Sequence, residues 1–464
     1  MKCRIVFIIC IFCVSIIITS CKDTSPVSTS GQLSHTADTD STEQTDTVTE
    51  ETVKDIDDYY ETIEKYKSNI NNDNIIHRID SGFINWICDN HDADFAKSLA
   101  DSLENNSYGD TLWHDRTGYS FNVLWDYYTG TPYTEENNIY IREASEKESV
   151  SLALAGDLCL SEGWYTLNKY DETGGDLSRC ISGGLIEQLR NADIFMLNNE
   201  FTFSDSGTPL KGKYYTFRAN TDRISILKSL GTDVVSIANN HIFDFGESCF
   251  YDTLTTLRDN GIPYFGGGKD SDEASRPVYF IINGMKIGFL GASRAEKIRY
   301  TPGASSDSPG ILLTYDNTQY LNVISETKKN CDYLIAYVHW GTEDSHEVTD
   351  YQKIMGRQFI DAGADIVAGG HPHVLQGIEY YHEKPILYSL GDFWFNYETK
   401  ETGVIEIDIT SSGLKSMKFL PCMQDNYTTS LISEPTESRR IYDFLQNLSY
   451  DIAIDDNGYI TKNR

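Results

Sequence analysis

From residue 150 onward, short apolar runs recur along the chain at 151–155, 194–197, 234–237, 333–338 and 366–368, and each stops at a polar or glycine-containing turn. Stretches with helical spacing lie between several of them, at 183–189, 223–230, 253–260 and 351–362. Runs this short and this apolar suit strands covered on both faces, and their alternation with helices predicts stacked α/β layers. Two later pairs of runs, 281–282 with 285–290 and 405–409 with 416–419, carry Asn-Gly or Ser-Gly between them and predict antiparallel strands joined by tight turns.

The pattern ahead of residue 150 is different. Ile75, Ile76, Ile79, Phe83, Ile84 and Ile87, then Phe95, Leu99 and Leu103, repeat at helical spacing, and an aromatic-rich stretch follows over 118–130. Residues 56–147 are therefore expected to form a separate, mainly helical accessory region. Its aromatics either pack inward or present Trp113, Tyr119 and Trp125 as a carbohydrate-binding face. Residues 22–55 are Ser, Thr and acidic residues with almost no large apolar side chain, a composition that cannot offset its own ordering entropy and predicts a disordered tether. Ahead of it, Lys2 and Arg4 precede an apolar run over 5–18, too short to span a bilayer but suited to a signal peptide over 1–21. Its end, Ile18-Thr19-Ser20-Cys21, resembles the bacterial lipobox. That resemblance implies lipidation of Cys21 and an anchor on the extracellular face of the bacterial cell membrane. Residues 148–420 are expected to form the main domain and 421–464 a polar C-terminal tail.

Composition narrows the function classes. The 464 residues carry a formal net charge of −32, a field that repels nucleic acid and argues against such a partner. An anionic substrate remains compatible, because a bound cation reverses the sign inside a cleft. Of 10 cysteines, Cys88, Cys159, Cys180, Cys249, Cys331 and Cys422 are scattered singly along the expected folded part, with no CxxC pair, and read as small buried hydrophobes.

Chemistry gathers where the apolar runs end, the edge at which α/β sheets collect ligands. The five runs are followed by Gly156-Asp157, by Asn198-Asn199-Glu200, by Asn239-Asn240-His241 with Asp244, by His339-Trp340-Gly341, and by Gly370-His371-Pro372-His373. Asp157, Glu200, Asn240, His339, His371 and His373 all offer oxygen or nitrogen lone pairs to a divalent ion. Four of the chain's 10 histidines fall in these turns. A mixed carboxylate, amide and imidazole set suits Mn, Zn or Fe better than Ca.

Val234-Val-Ser-Ile-Ala-Asn-Asn-His-Ile-Phe-Asp-Phe-Gly246, His339-Trp-Gly-Thr-Glu343, Gly363-Ala-Asp-Ile-Val-Ala-Gly-Gly-His-Pro-His-Val-Leu-Gln376, Leu387-Tyr-Ser-Leu-Gly-Asp-Phe393 and the 214–219 stretch resemble, in order, motifs of the CapA family of poly-gamma-glutamate capsule biosynthesis proteins. The resemblance spans about residues 148–410. It implies a calcineurin-like metallophosphatase fold, a four-layer β-sandwich flanked by helices. It also implies that Asp157 and the bridging Glu200, with Asn240, His339, His371 and His373, hold one or two metal ions, and that His241 assists a leaving group or serves as an outer hydrogen-bond donor. Asp244 and Glu343 could orient imidazoles or be plain loop charges. Lys213 and Arg218 could meet an anionic substrate or form ion pairs. Two departures stand out. Metallophosphatases of the wider superfamily carry Asp-x-His where this chain has Asp157-Leu158-Cys159, and the family's Gly-Asn-Phe is Gly391-Asp392-Phe393. Cys159 is either a soft ligand or a buried thiol, and one metal position could lack a ligand. What the resemblance implies in function is a lipid-anchored factor in capsule or poly-gamma-glutamate-type polymer synthesis, working with capsule-synthesis machinery. The alternative is a metal-dependent phosphoesterase or hydrolase acting on a cell-envelope phosphoester or polymer.

Overall fold

Two large sheets are built around the predicted runs. The computed structural model describes residues 56–70, 75–295 and 299–463; the expected signal peptide with Cys21, and the whole segment read as a tether, lie outside the described residues. One sheet has seven strands in the order Ile139–Ile141, Val278–Ile282, Met285–Ser293, Tyr333–His339, Ile366–Gly370, Lys384–Leu387 and Ile378–Tyr381. The other has eight. Seven run in the order Thr428–Leu431, Gly413–Asp425, Lys400–Thr410, Val150–Leu158, Ile194–Asn199, Val234–Ser236 and Tyr264–Phe265, and Asp392–Trp394 pairs off this path with Val150–Leu158.

Side-chain alternation turns these sheets into four layers. Leu152, Leu154, Ile194 and Met196 of one sheet pack with Phe289, Ile335, Tyr337 and Ile366 of the other, forming the core between them. Ala153 and Ala155 point the opposite way, into a second core with Leu185, Leu189, Leu227 and Leu254 from flanking helices. Leu334, Ala336 and Val338 likewise face Tyr320, Ile324 and Phe359. Covering both faces explains why the strands read as unbroken apolar runs rather than as an alternation. The sandwich flanked by helices is the architecture that the motifs imply.

The predicted turns close as their residues require. Asn283 and Gly284 both take positive φ (49° and 67°) between Val278–Ile282 and Met285–Ser293, the geometry of a two-residue hairpin. The helix Asp350–Asp361 starts at a reciprocal cap between Thr349 and Gln352.

Two boundaries differ from expectation. The helices of 56–147 have a core of their own around Phe83, Phe95, Trp113, Phe121 and Leu124, yet the region is not a separate unit, and the described residues all fall in one compact body, Lys54–Arg464. Strand Ile139–Ile141 extends the seven-stranded sheet beside Val278–Ile282. Lys286 pairs with Asp126 at 2.6 Å, Asn122 donates to Asp332 at 2.8 Å, and Ser120 N–H donates to the Gly284 carbonyl at 2.8 Å. Trp113 is fully buried, and Tyr119 and Trp125 are half-buried against the same core, so the aromatics pack inward. Residues 421–464 are not a tail either. Helix Pro435–Leu448 places Ile441, Tyr442 and Leu445, and the hairpin Ile452–Ile454 with Ile460–Lys462 places Ile452, Ile454 and Ile460, in the core between the sheets. Cys159, Cys180, Cys249, Cys331 and Cys422 are buried free thiols and Cys88 is half-buried.

Candidate metal centre

The carboxyl ends of the central strands of both sheets meet at one place. Val150–Leu158 delivers Asp157, Ile194–Asn199 leads into Glu200, Tyr333–His339 ends in His339, and Ile366–Gly370 leads into His371 and His373. Asp157, Glu200 and His339 are completely buried. Tight backbone packing makes the approach possible. A Cβ on Gly156 would sit 1.9 Å from the Gly391 carbonyl oxygen, and one on Gly370 would sit 2.5 Å from Asp157 Oδ1, so both positions need glycine.

Among the described residues, three groups of donors lie close enough to share an ion, with ligand atoms within 4.8 Å of one another: Asp157, Glu200 and His339; Glu200, His371 and His373; and Asp157, His373 and Asp392. His339 Nε2 is 2.8 Å from Asn240 Oδ1 and 3.3 Å from Glu200 Oε1, which brings the amide into the same cluster. Asn198 Nδ2 donates to Asp157 Oδ1 at 2.8 Å and to Glu200 Oε2 at 3.2 Å, while the His371 N–H donates to Asp157 Oδ2 at 2.9 Å. Asn239 in turn donates to Asn198 Oδ1 at 3.0 Å, fixing its amide. The loop after Gly370 holds both histidines at positive φ, His371 at 95° and His373 at 58°, a backbone region that L side chains rarely adopt.

Electrostatically the cluster calls for a cation. Burial, with Glu200's charge adding to it, raises the Asp157 carboxyl to about 6. Burial pushes Glu200 up to about 7 against the pull of His373 and His241. Burial holds His339 down to about 4 and His371 well below the usual imidazole range. Burial also opposes charge on His373, but Asp392, Glu200 and Asp157 outweigh it and raise that imidazole to about 10. Two buried lone-pair atoms, Glu200 Oε1 and His371 Nδ1, have no hydrogen-bond partner among the described residues. An orphaned carboxylate oxygen and an orphaned imidazole nitrogen in one buried cluster cost free energy unless something absorbs their lone pairs. The donor set therefore fits a divalent metal ion.

The remaining predicted residues divide. His241 is buried with Nδ1 2.6 Å from Asp244 Oδ2, and its Nε2 makes no hydrogen bond among the described residues. Asp244 also accepts from the Phe217 N–H at 2.6 Å and pairs through Oδ1 with Lys213 Nζ at 2.7 Å. Lys213 thus neutralises Asp244 and also donates to the Asn240 carbonyl. Arg218 is turned to the Ser206 carbonyl and lies over the Phe245 ring. Glu343 is exposed and accepts no hydrogen bond from an imidazole among the described residues. Its charge reaches His339 and Glu200 only through space. Cys159 sits in the core against the outer helices, its thiol pushed far up by burial, and it belongs to none of the three donor groups.

Two participants were not singled out from the sequence. Tyr337 Oη lies 3.2 Å from His339 Nδ1 and 3.4 Å from Asp157 Oδ1; it shares His339's face two residues earlier on one strand, a period-2 signal. Asp392 Oδ1 is 2.8 Å from His373 Nδ1, and its only mark in the sequence is that it stands where the resembled family has Asn. Around the cluster, Phe217 contacts His241 and Phe395 contacts His373, each at 4.5 Å between ring centroids. Ring contacts continue through Trp164 to the exposed Tyr165 and Tyr215.

Comparison with known proteins agrees with the motifs. The chain is 26% identical over 309 residues to the capsule biosynthesis protein CapA of Bacillus anthracis, covering 64% of this chain and 73% of that one. It is 31% identical over 208 residues to the PGA biosynthesis protein CapA of Bacillus subtilis (strain 168), covering 44% and 54%. Among solved structures it is similar to a 5'-nucleotidase from Candida albicans SC5314, with a TM-score of 0.33 and 14% identity over 61% of this chain and 53% of that one. The family model described as bacterial capsule synthesis protein PGA_cap matches residues 151–397, the stretch that carries every donor above, and the chain belongs to that family.

Proposed function

We propose that this protein works on the extracellular face of a bacterial membrane, anchored through a lipid on Cys21, in the synthesis of a capsule-type anionic polymer of the poly-gamma-glutamate kind. In this reading Asp157, Glu200, Asn240, His339, His371 and His373 hold one or two divalent ions, Mn, Zn or Fe, and capsule-synthesis machinery is the partner. The family and the relatives' names support the polymer. The observation that carries the metal is the pair of orphaned buried atoms, Glu200 Oε1 and His371 Nδ1, inside a converged donor cluster.

A divalent ion there would polarise an oxygen of an anionic ligand and offset its charge. The chain's own residues do the rest. Asp157 and Glu200 are presented by buried strand ends, and the Asn198 amide fixes both. Asp244 grips His241 Nδ1, leaving Nε2 to give or take a proton at a bound ligand. Lys213 cancels the Asp244 charge, so the imidazole is oriented by Asp244 without its full field.

That fixed imidazole favours a second reading, a metal-dependent phosphoesterase acting on a cell-envelope phosphoester. One set of strains and assays separates the two. In a polymer-producing strain, deletion of the gene and the Glu200→Gln/His339→Ala double substitution are both expected to abolish surface polymer, and full polymer from the double variant would refute a role for the cluster. His241→Ala with polymer retained supports the assembly reading. Turnover of a chromogenic phosphodiester with Mn, lost on His241→Ala by about 10²-fold or more, supports the hydrolase.

A further inference from the structure

The first-motif position that carries His in the wider superfamily is occupied by Cys159, whose thiol faces the core and takes no part in the donor cluster. Taken alone, this leaves one side of the cluster short of a ligand. On that side stands Asp392, buried and paired in register with Asp157 on adjacent parallel strands. The approach of the Gly391 carbonyl to the Asp157 N–H, at 3.0 Å, fixes the two backbones against each other.

We propose that Asp392 is a metal ligand, completing with Asp157 and His373 a second divalent-ion position that the absence of a first-motif histidine would otherwise leave open. This rests on the metal reading of the cluster given above. Asp392 Oδ1 lies 2.8 Å from His373 Nδ1, and His373 Nδ1 lies 3.7 Å from Asp157 Oδ2. Donors bound at about 2.1 Å from one ion are separated by about 3–3.5 Å, so these atoms need only small adjustments to share one. The other carboxylate oxygen of Asp392 is held by Asn396 Nδ2 at 3.2 Å and Gln424 Nε2 at 3.3 Å. Its orientation is therefore set by two amides, and Oδ1 is left facing the histidine. The remaining donors, Glu200, Asn240, His339 and His371, form the first position around the orphaned atoms.

Charge agrees with two ions. Asp157, Glu200 and Asp392 supply three negative charges to one buried site. Counting the carboxylates alone, one divalent ion leaves that sum negative and two make it positive. With Asn at 392 the second ion would lose a charged donor. The carboxylate thus does the work that the Cys159 position does not.

The test is the metal content and electronic coupling of the full chain, loaded with Mn²⁺ and freed of excess metal. The wild-type chain is expected to hold two Mn per molecule and to give an exchange-coupled EPR spectrum. Asp392→Ala is expected to hold one, with a six-line signal from an isolated ion. Asp392→Asn, which keeps the shape and the packing, should bind the second ion at least about tenfold more weakly, and it guards against misfolding of the alanine variant. Cys159→Ala should retain both ions. A coupled pair that survives in Asp392→Ala at saturating Mn²⁺ makes Asp392 only a positioning residue for His373 and overturns the proposal. One ion in the wild-type chain overturns it too, while sparing the metal reading. No bound ion in the wild type overturns the metal reading itself.

Discussion

Two buried polar clusters in this molecule are handled in opposite ways. Where the N-terminal helices meet the seven-stranded sheet, Lys286 is matched to Asp126 at 2.6 Å, and Asp332 accepts from Asn122 at 2.8 Å and from the Lys286 N–H at 2.6 Å. Each carboxylate there is met by a cation or by hydrogen-bond donors of the chain itself. At the strand ends, Asp157, Glu200 and Asp392 crowd together against imidazoles, two of which burial keeps neutral, and two lone-pair atoms stay unpartnered. Burial is common to both places. What differs is whether the sequence supplies a partner for every polar atom, and the comparison separates a polar cluster that joins two parts of a fold from one built to receive something.

The sharpest way to break this contrast is to remove one partner from each cluster of the metal-free chain. Lys286→Met strands the Asp126 carboxylate at the interface and should cost about 3–5 kcal/mol in denaturant unfolding. Glu200→Gln removes a carboxylate whose burial outweighs the pull of the nearby imidazoles and should instead stabilise the metal-free chain, by about 1–3 kcal/mol at pH 8. Effects of the same sign would abolish the distinction.

Proton linkage sharpens it further. The folded-state values of Asp157 and Glu200 are raised, to about 6 and about 7, so the folded metal-free chain holds protons that the unfolded chain has already lost. Stability contributed by these groups is present at acid pH and lost as pH rises from about 4 to 7. His373, raised to about 10, loses its contribution in the same direction at higher pH. A cation must displace these protons, so metal binding should run the other way, with the gain in thermal midpoint on adding Mn²⁺ larger at pH 8 than at pH 5.5. Unfolding curves with and without chelator at several pH values would expose either sign as wrong. The smallest effect is expected from Glu343→Gln, which touches neither cluster and should shift stability by less than about 0.5 kcal/mol and leave the number of bound ions unchanged.

The sheets and most of the donor cluster were legible because the same physics governs both. A strand covered on both faces must be apolar to its end, so the residue that breaks the run stands out, and Asp157, Glu200, His339 and His371 are such residues. Asp392 stands out only as a departure from the resembled family's Asn, and its place among the donors was not legible, because it opens a three-residue strand that pairs in register with a partner 235 positions earlier. The C-terminal segment was misread because Ile441, Tyr442 and Leu445 form a narrow stripe amid charged neighbours, and only the sandwich waiting to receive them makes it a core face. The independence expected of the N-terminal region failed for a related reason. Its helices bury their own aromatics, but the edge strand Ile139–Ile141 and the Asp126 ion pair belong to contacts made far along the chain.

The left-handed backbone at His371 and His373 has a consequence for how such a protein can change over generations. A glycine at 371 would relax that segment and drop a buried nitrogen without a partner, so the altered chain should melt at a higher temperature when metal-free while having surrendered a ligand. Selection for robustness alone would thus erode this loop. Its persistence in any lineage would be a record of what the loop does rather than of what the fold needs.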